Sequence, residues 1–271
     1  MIQVLFLAGG KNIKLFKKTG YGTRLQRDIQ DNPLYQHLTN CPKALLPLST
    51  GKPLLNYWLE ILPCPLSHVY IVCNQPSYPL FQKWAESVSL PLENLLNDNT
   101  TTNDNRLGSI GDLDLAIEHF KFSCPLLIIA GDLLFFKDFK LLDFLAAFDH
   151  QHILVSRYLT NDVDMCKSGI LVLDQQNKIV EFKEKPKPNE TSSRWACPCF
   201  YLIPINELPR IHEFMIEKQF KLEEVDAAGK FIRWIVQKSN SCVQTYLTSG
   251  RLDIGGLDSY LEAQQYLKTH E

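Results

Sequence analysis

The first 47 residues constrain the chain more than any other stretch. Val4-Leu5-Phe6-Leu7 is apolar at every position, so residues 2–8 read as a central parallel strand covered on both faces. Ala8-Gly9-Gly10 follows it directly. Gly20-Tyr21-Gly22-Thr23-Arg24-Leu25 and Pro42-Lys43-Ala44-Leu45-Leu46-Pro47 come next. A buried strand feeding glycines lets backbone N–H groups approach an anion closely, and Arg24 and Lys43 supply positive charge. The competing reading is a tight turn beside two solvated cations.

The chain has 271 residues, enough for one large domain or two small ones. Its net charge of −2 gives no general attraction to nucleic acid or to an anionic membrane, so phosphate binding has to be local. No apolar run reaches membrane-spanning length, and the N-terminal run is too short for a signal peptide. Eight cysteines without such a peptide are expected as reduced thiols in the cytoplasm. Cys197 and Cys199 have no second pair at zinc-ligand spacing.

Further along, 53–62 and 81–88 read as helices and 69–73 as a buried strand. Residues 97–106 form a polar loop, and 107–112 is a turn leading into a helix over 113–120. Residues 126–130 read as a third buried strand ending at Gly131-Asp132, and 139–148 as a helix. The stretch 153–157 reads as a strand, and 168–173 with 178–183 as a hairpin. Residues 200–203 and 243–247 read as strands; 208–217, 231–237 and 256–269 read as helices. Strands alternating with helices argue a doubly wound α/β layer whose sheet becomes mixed toward the end. One compact domain is expected.

Three further pieces carry chemistry. Asp132 follows a buried strand at the carboxyl edge where α/β sheets place ligands, and a carboxylate there can hold Mg²⁺. Asp253, before the last helix, is a second candidate ligand. Each could instead be a helix N-terminal acid. Glu184 can accept from sugar hydroxyls and Lys185 can reach a phosphate, or both are a solvated hairpin end.

In this order the motifs resemble the sugar-phosphate nucleotidylyltransferases, the glucose-1-phosphate thymidylyltransferase-like pyrophosphorylases that make nucleotide sugars. Leu7-Ala8-Gly9-Gly10 with Gly22-Thr23-Arg24-Leu25 resembles their signature loop, and Pro42–Pro47 resembles the motif that follows. The resemblance implies a Rossmann-like three-layer αβα sandwich with a mixed, mostly parallel central sheet. Its NTP-binding half would lie at about 1–155 and its sugar-phosphate half at about 156–271. Leu7, Ala8, Gly9, Gly10, Gly22, Thr23, Gly108 and Gly111 would bind the nucleotide, and Arg24 and Lys43 would be catalytic. Asp132 and Asp253 would hold Mg²⁺. Gly169, Glu184 and Lys185 would bind the sugar phosphate. The implied partners are an NTP and a sugar-1-phosphate, with no nucleic acid and no membrane; a homo-oligomer stays open.

The chain departs from the family pattern at several points. Residues 11–20 interrupt the signature loop, either as a true excursion or as a retained insertion such as an unspliced short intron. The stretch 25–42 is longer than usual. The family's Tyr-Gly pair is missing before Gly169, and Arg251 stands where a Trp is common. No hexapeptide-repeat domain is expected after the closing helix. Two other readings compete: a cytidylyltransferase for a phosphorylated alcohol such as phosphocholine, and a non-catalytic homologue disabled by the insertion.

Overall fold

The computed structural model describes residues 1–9, 25, 28–29, 32–102, 104–238 and 243–270. In chain order its strands are β1 Gln3–Leu7, β2 Val69–Cys73, β3 Leu95–Asn97, β4 Leu126–Ala130, β5 Leu133–Phe135 and β6 Ile153–Leu159. They continue with β7 Gly169–Leu173, β8 Ile179–Glu184, β9 Trp195–Cys197, β10 Phe200–Ile203, β11 Val243–Leu247 and β12 Arg251–Asp253. The strands with continuous apolar runs lie where the sequence places them, because a run apolar at every position fits only a strand covered on both faces.

The chain separates into two compact units, each assembled from three segments. The first comprises Met1–Leu5, Gly108–Ile129 and Asp138–Gly250. The second comprises Phe6–Leu107, Ala130–Lys137 and Arg251–Glu271.

In the first unit β10 runs antiparallel to β4 (Phe200 opposite Ile129) and to β6 (Tyr201 opposite Val155), while β11 runs parallel to β6. The sheet continues through β9 and β7 to β8. Its core is aromatic. The rings of Phe144 and Phe200 meet at 4.8 Å, and Phe214 meets Trp234 at 5.6 Å. The β7–β8 hairpin pairs as expected. Its tip turns because Asp174 accepts from the Gln176 and Lys178 amides while Asn177 takes φ +62°, a conformation that asparagine tolerates.

In the second unit β2 and β3 pair in parallel, Ile71 opposite Leu95, with the end of β1 beside β2. Four-residue periodicity buries Leu54, Leu55 and Trp58 of the helix Leu54–Leu59, which starts directly after Pro53. The Trp58 indole N–H donates to the Leu133 carbonyl at 2.7 Å, and its ring meets Phe135 edge-on at 6.1 Å. Trp58 therefore fixes β5. Trp58→Ala would cost roughly 3–5 kcal/mol through the cavity it leaves. The closing helix, Leu257–His270, is tied back by Tyr260 Oη, which donates to the Pro47 carbonyl at 2.6 Å.

Three local expectations change. Residues 107–112 are not a turn before a helix: the helix itself starts at Gly108 and runs to Phe120, with Gly108 and Gly111 both buried in it. The helix expected over 81–88 starts at Tyr78, with Pro79 in its first turn. Asp253 is not a helix-leading acid but the last residue of strand β12.

Candidate active site

In the second unit, four stretches distant in sequence meet at the end of β1. The Ala8 amide donates to the Val72 carbonyl at 2.9 Å, and Asn74 Nδ2 donates to the Gly9 carbonyl at 3.3 Å. The Gly131 amide donates to the Leu7 carbonyl at 2.9 Å. A Cβ on Gly131 would sit 3.1 Å from Leu7 O, 3.2 Å from Ala44 Cβ and 3.3 Å from Ala8 Cβ. Glycine is thus what lets the strand end, the first loop and the Lys43 turn come this close.

That turn is the 3₁₀ segment Lys43–Leu45, held down by buried Ala44 and Leu45. It delivers Lys43 Nζ to Asp132 Oδ2 at 2.8 Å, with the two side chains 24% and 29% exposed. Asp253 arrives by register: in the β5–β12 ladder it stands opposite Leu133, the residue after Asp132, and the Ile254 amide donates to the Asp132 carbonyl at 3.1 Å. Burial alone would lower the Lys43 pKa. The charge and hydrogen bond of Asp132, with the charge of Asp253, outweigh it and raise the pKa. Lys43 is therefore a firmly protonated cation serving two carboxylates. Arg251 forms an ion pair with Asp253.

Leu7, Ala8, Gly9, Lys43, Asp132 and Asp253 therefore lie in one unit. Gly10, Gly22, Thr23, Arg24 and residues 11–20 lie outside the described residues. Among the described residues no cluster of three or more His, Cys, Asp or Glu forms a metal cage. The two carboxylates, both acting on Lys43, nonetheless fit a hard dication that keeps several non-protein ligands, as Mg²⁺ does.

The first unit holds a second group. Gly169 stands opposite both Glu184 and Cys197 in the β7–β8 and β7–β9 ladders. It is buried, and a Cβ there would overlap the Phe182 ring, so its observed work is packing. Lys185 takes φ +47° and donates its amide to the Ser168 carbonyl at 3.1 Å, which turns the chain out of β8.

Glu184 lies under the start of the helix Ala228–Lys238, where a Cβ on Gly229 would collide with its Oε2 and with Phe182. Burial pushes the Glu184 carboxyl pKa up. Lys185, with Nζ at 3.8 Å, and Lys230 pull it down, Asp226 pushes it up, and the net shift is upward. Lys230 in turn pairs with Asp226 at 2.8 Å. Gly108, at φ +80°, packs onto the backbone of Val225 and Asp226. Asp226, Gly229 and Lys230 are the residues that sequence reasoning missed. Their only signal is an Asp-x-x-Gly-Lys run in a stretch without strand or loop motifs.

The described cysteines 41, 64, 124, 166 and 197 are free thiols, and no described helix is long and apolar enough to cross a membrane.

The chain is 27% identical over 147 residues to a bifunctional sugar-1-phosphate nucleotidylyltransferase/acetyltransferase of Sulfurisphaera tokodaii, a match covering 54% of this chain and 32% of that protein. The chain thus matches about a third of the length of this curated relative. Among solved structures, a Bacillus anthracis protein assigned as a glucose-1-phosphate thymidylyltransferase superposes with a TM-score of 0.71 at 18% identity, covering 98% of this chain and 94% of that one. A UDP-glucose pyrophosphorylase complexed with UDP-glucose gives 0.68 at 17% identity, with both chains covered completely. These likenesses show the fold: a mixed, mostly parallel central sheet with helices on both sides. Residues 19–270 match the nucleotidyl transferase family, and the chain, with its strand-end glycines, Lys43 and paired aspartates, belongs to that family.

Proposed function

We propose that the chain transfers an NMP group from an NTP to a sugar-1-phosphate, giving a nucleotide sugar and pyrophosphate, with Mg²⁺ as its metal. The observation that carries this reading is the Lys43–Asp132 pair at 2.8 Å, with Asp253 laid beside it by the β5–β12 ladder where Gly131 follows a buried strand.

The backbone at Leu7, Ala8, Gly9, Gly10, Gly22 and Thr23 takes the nucleotide, and the segment of Gly108 and Gly111 takes the base and ribose. Arg24 holds the departing pyrophosphate. Lys43 neutralises charge at the attacked α-phosphorus. Gly169 belongs to the acceptor site as backbone, and Glu184 and Lys185 take sugar and phosphate. The NTP side corresponds to about residues 1–155 and the acceptor side to about 156–271. Asp132 and Asp253 would hold Mg²⁺, which would supply positive charge against the triphosphate oxygens. The sugar phosphate oxygen attacks the α-phosphorus in line, a P–O bond forms, and the bond to the β-phosphate oxygen breaks. The nucleophile is already an anion, so no general base is needed, and the protein contributes position and positive charge.

The test is pyrophosphate release with a panel of NTPs against sugar-1-phosphates and phosphocholine, with and without Mg²⁺. Turnover with a sugar-1-phosphate supports the proposal. Turnover with phosphocholine alone supports the cytidylyltransferase reading. Nucleotide binding without turnover for any pair rejects a catalytic role.

A further inference from the structure

Asp253 does not stand alone on its strand. Arg251 lies two residues earlier on β12, where the pleat puts both side chains on one face, and its Nη1 contacts Asp253 Oδ2. The guanidinium is the more enclosed partner, with the Arg251 side chain 13% exposed and Asp253 43% exposed. Leu252 between them is buried. At the facing strand, Asp132 Oδ2 accepts from Lys43 Nζ at 2.8 Å. Each of the two proposed metal ligands therefore already has a cation of this chain on one of its oxygens.

This arrangement sets a conflict. A carboxylate oxygen turned toward a guanidinium or an ammonium has to be released before it can bind a dication. The fixed positive charge, a few ångströms away, also repels that dication directly. A triphosphate resolves both problems. It offers Arg251 and Lys43 new oxyanions, which a guanidinium fork grips bidentately and an ammonium as a point charge. It also brings oxygen ligands of its own.

We infer that Arg251, together with Lys43, is a built-in counter-ion that keeps Asp253 and Asp132 from holding a divalent cation until a polyphosphate arrives. The inference rests on the metal site proposed above. It makes Arg251 a positioning residue that couples the two ligands: metal and triphosphate each raise the other's affinity, by the same factor in both directions. It also gives a role to the arginine at a position where the family commonly has tryptophan.

The experiment uses Mn²⁺ as the probe, with protein-bound metal read by water-proton relaxation. The full chain is titrated first without and then with inorganic tripolyphosphate. Wild type is expected to bind Mn²⁺ weakly alone and much more tightly with tripolyphosphate. Arg251→Met should bind Mn²⁺ alone on the order of tenfold more tightly than wild type, a conservative fraction of the Coulomb effect of removing one nearby cation. It should gain correspondingly less from tripolyphosphate. Arg251→Lys, which keeps the charge, should behave like wild type.

A folded Arg251→Met that binds Mn²⁺ alone no more tightly than wild type overturns the inference. If that variant does not fold, Lys43→Met decides by the same criterion, since it uncovers Asp132. The double variant Asp132→Asn, Asp253→Asn should lose protein-bound Mn²⁺ under both conditions. Wild-type binding by the double variant would instead reject the metal site itself, an outcome distinct from failure of the counter-ion role.

Discussion

Gly108→Ala is the substitution whose cost can be worked most directly from the structure. Gly108 combines φ +80° with a backbone wall: an added Cβ would lie 2.7 Å from Asp226 Cα, 2.9 Å from Val225 O and 3.1 Å from Asp226 N. Gly51 has nearly the same φ, +79°, with nothing within 4 Å. The pair separates the two penalties. At Gly51 only the left-handed conformation counts, about 1–2 kcal/mol, partly offset by the stiffer unfolded chain. The net loss is about 1 kcal/mol.

At Gly108 the overlap with main-chain atoms, which cannot rotate away as a side chain does, adds about 1–3 kcal/mol. The total is about 2–4 kcal/mol. For a chain of 271 residues, an unfolding entropy near 2.1 cal/mol/K per residue converts each kcal/mol into about 2 °C. Thermal melts by circular dichroism should therefore show a drop of about 2 °C for Gly51→Ala and about 4–8 °C for Gly108→Ala. Equal drops would refute the packing role of Gly108, and would return that glycine to a role in ligand approach alone.

Three other outcomes follow from the site. Asp132→Asn should lower Mg²⁺-dependent turnover at least about a hundredfold, beyond the ~10–100-fold usual for an outer-shell partner, while the thermal midpoint stays within a few degrees; a fully active variant would remove Asp132 from the metal site. Glu184→Gln should stabilise the protein at pH 7 and not at pH 4. The native Glu184 carboxyl titrates above its unfolded value, so the native state binds more protons there and stability falls as pH rises through that range, a loss absent below the ordinary Glu pKa of about 4.3. Urea midpoints at the two pH values check this, and an advantage that grows toward acid would contradict it. Deleting residues 11–20 restores the uninterrupted signature loop and should raise kcat/KM for NTP about tenfold or more, since loop geometry sets phosphate affinity; equal steady-state constants would show that the interruption is harmless.

The parts of the fold legible in the sequence are those with a long local signal. Val69–Cys73 and Leu126–Ala130 are continuous apolar runs, and the structure returns them, like the strand Val243–Leu247 with its β-branched and aromatic residues, with the expected bounds. The strands Leu133–Phe135 and Arg251–Asp253 were not legible, because three residues hold no period and their pairing joins stretches more than a hundred residues apart. That omission matters for the site. Asp132 could be read as a strand-end acid, but Asp253 could not be put beside it without the register. The same limit hid Asp226, Gly229 and Lys230, whose meeting with Glu184 is purely tertiary. Gly108 and Gly111 misled in the opposite direction. Paired glycines suggest a turn by propensity, whereas here a helix starts on one of them so that another segment's backbone can lie against it.

The β5–β12 ladder also sets an order of events during synthesis. The second unit needs Phe6–Leu107, Ala130–Lys137 and Arg251–Glu271, so its last segment leaves the ribosome after the other two. A nascent chain can bring Lys43 to Asp132 before Asp253 exists. The second carboxylate and its arginine arrive together, on one short strand, after both earlier segments of the unit. Polypeptides broken off before Arg251 would carry Lys43 and Asp132 yet lack Asp253 and the arginine paired with it.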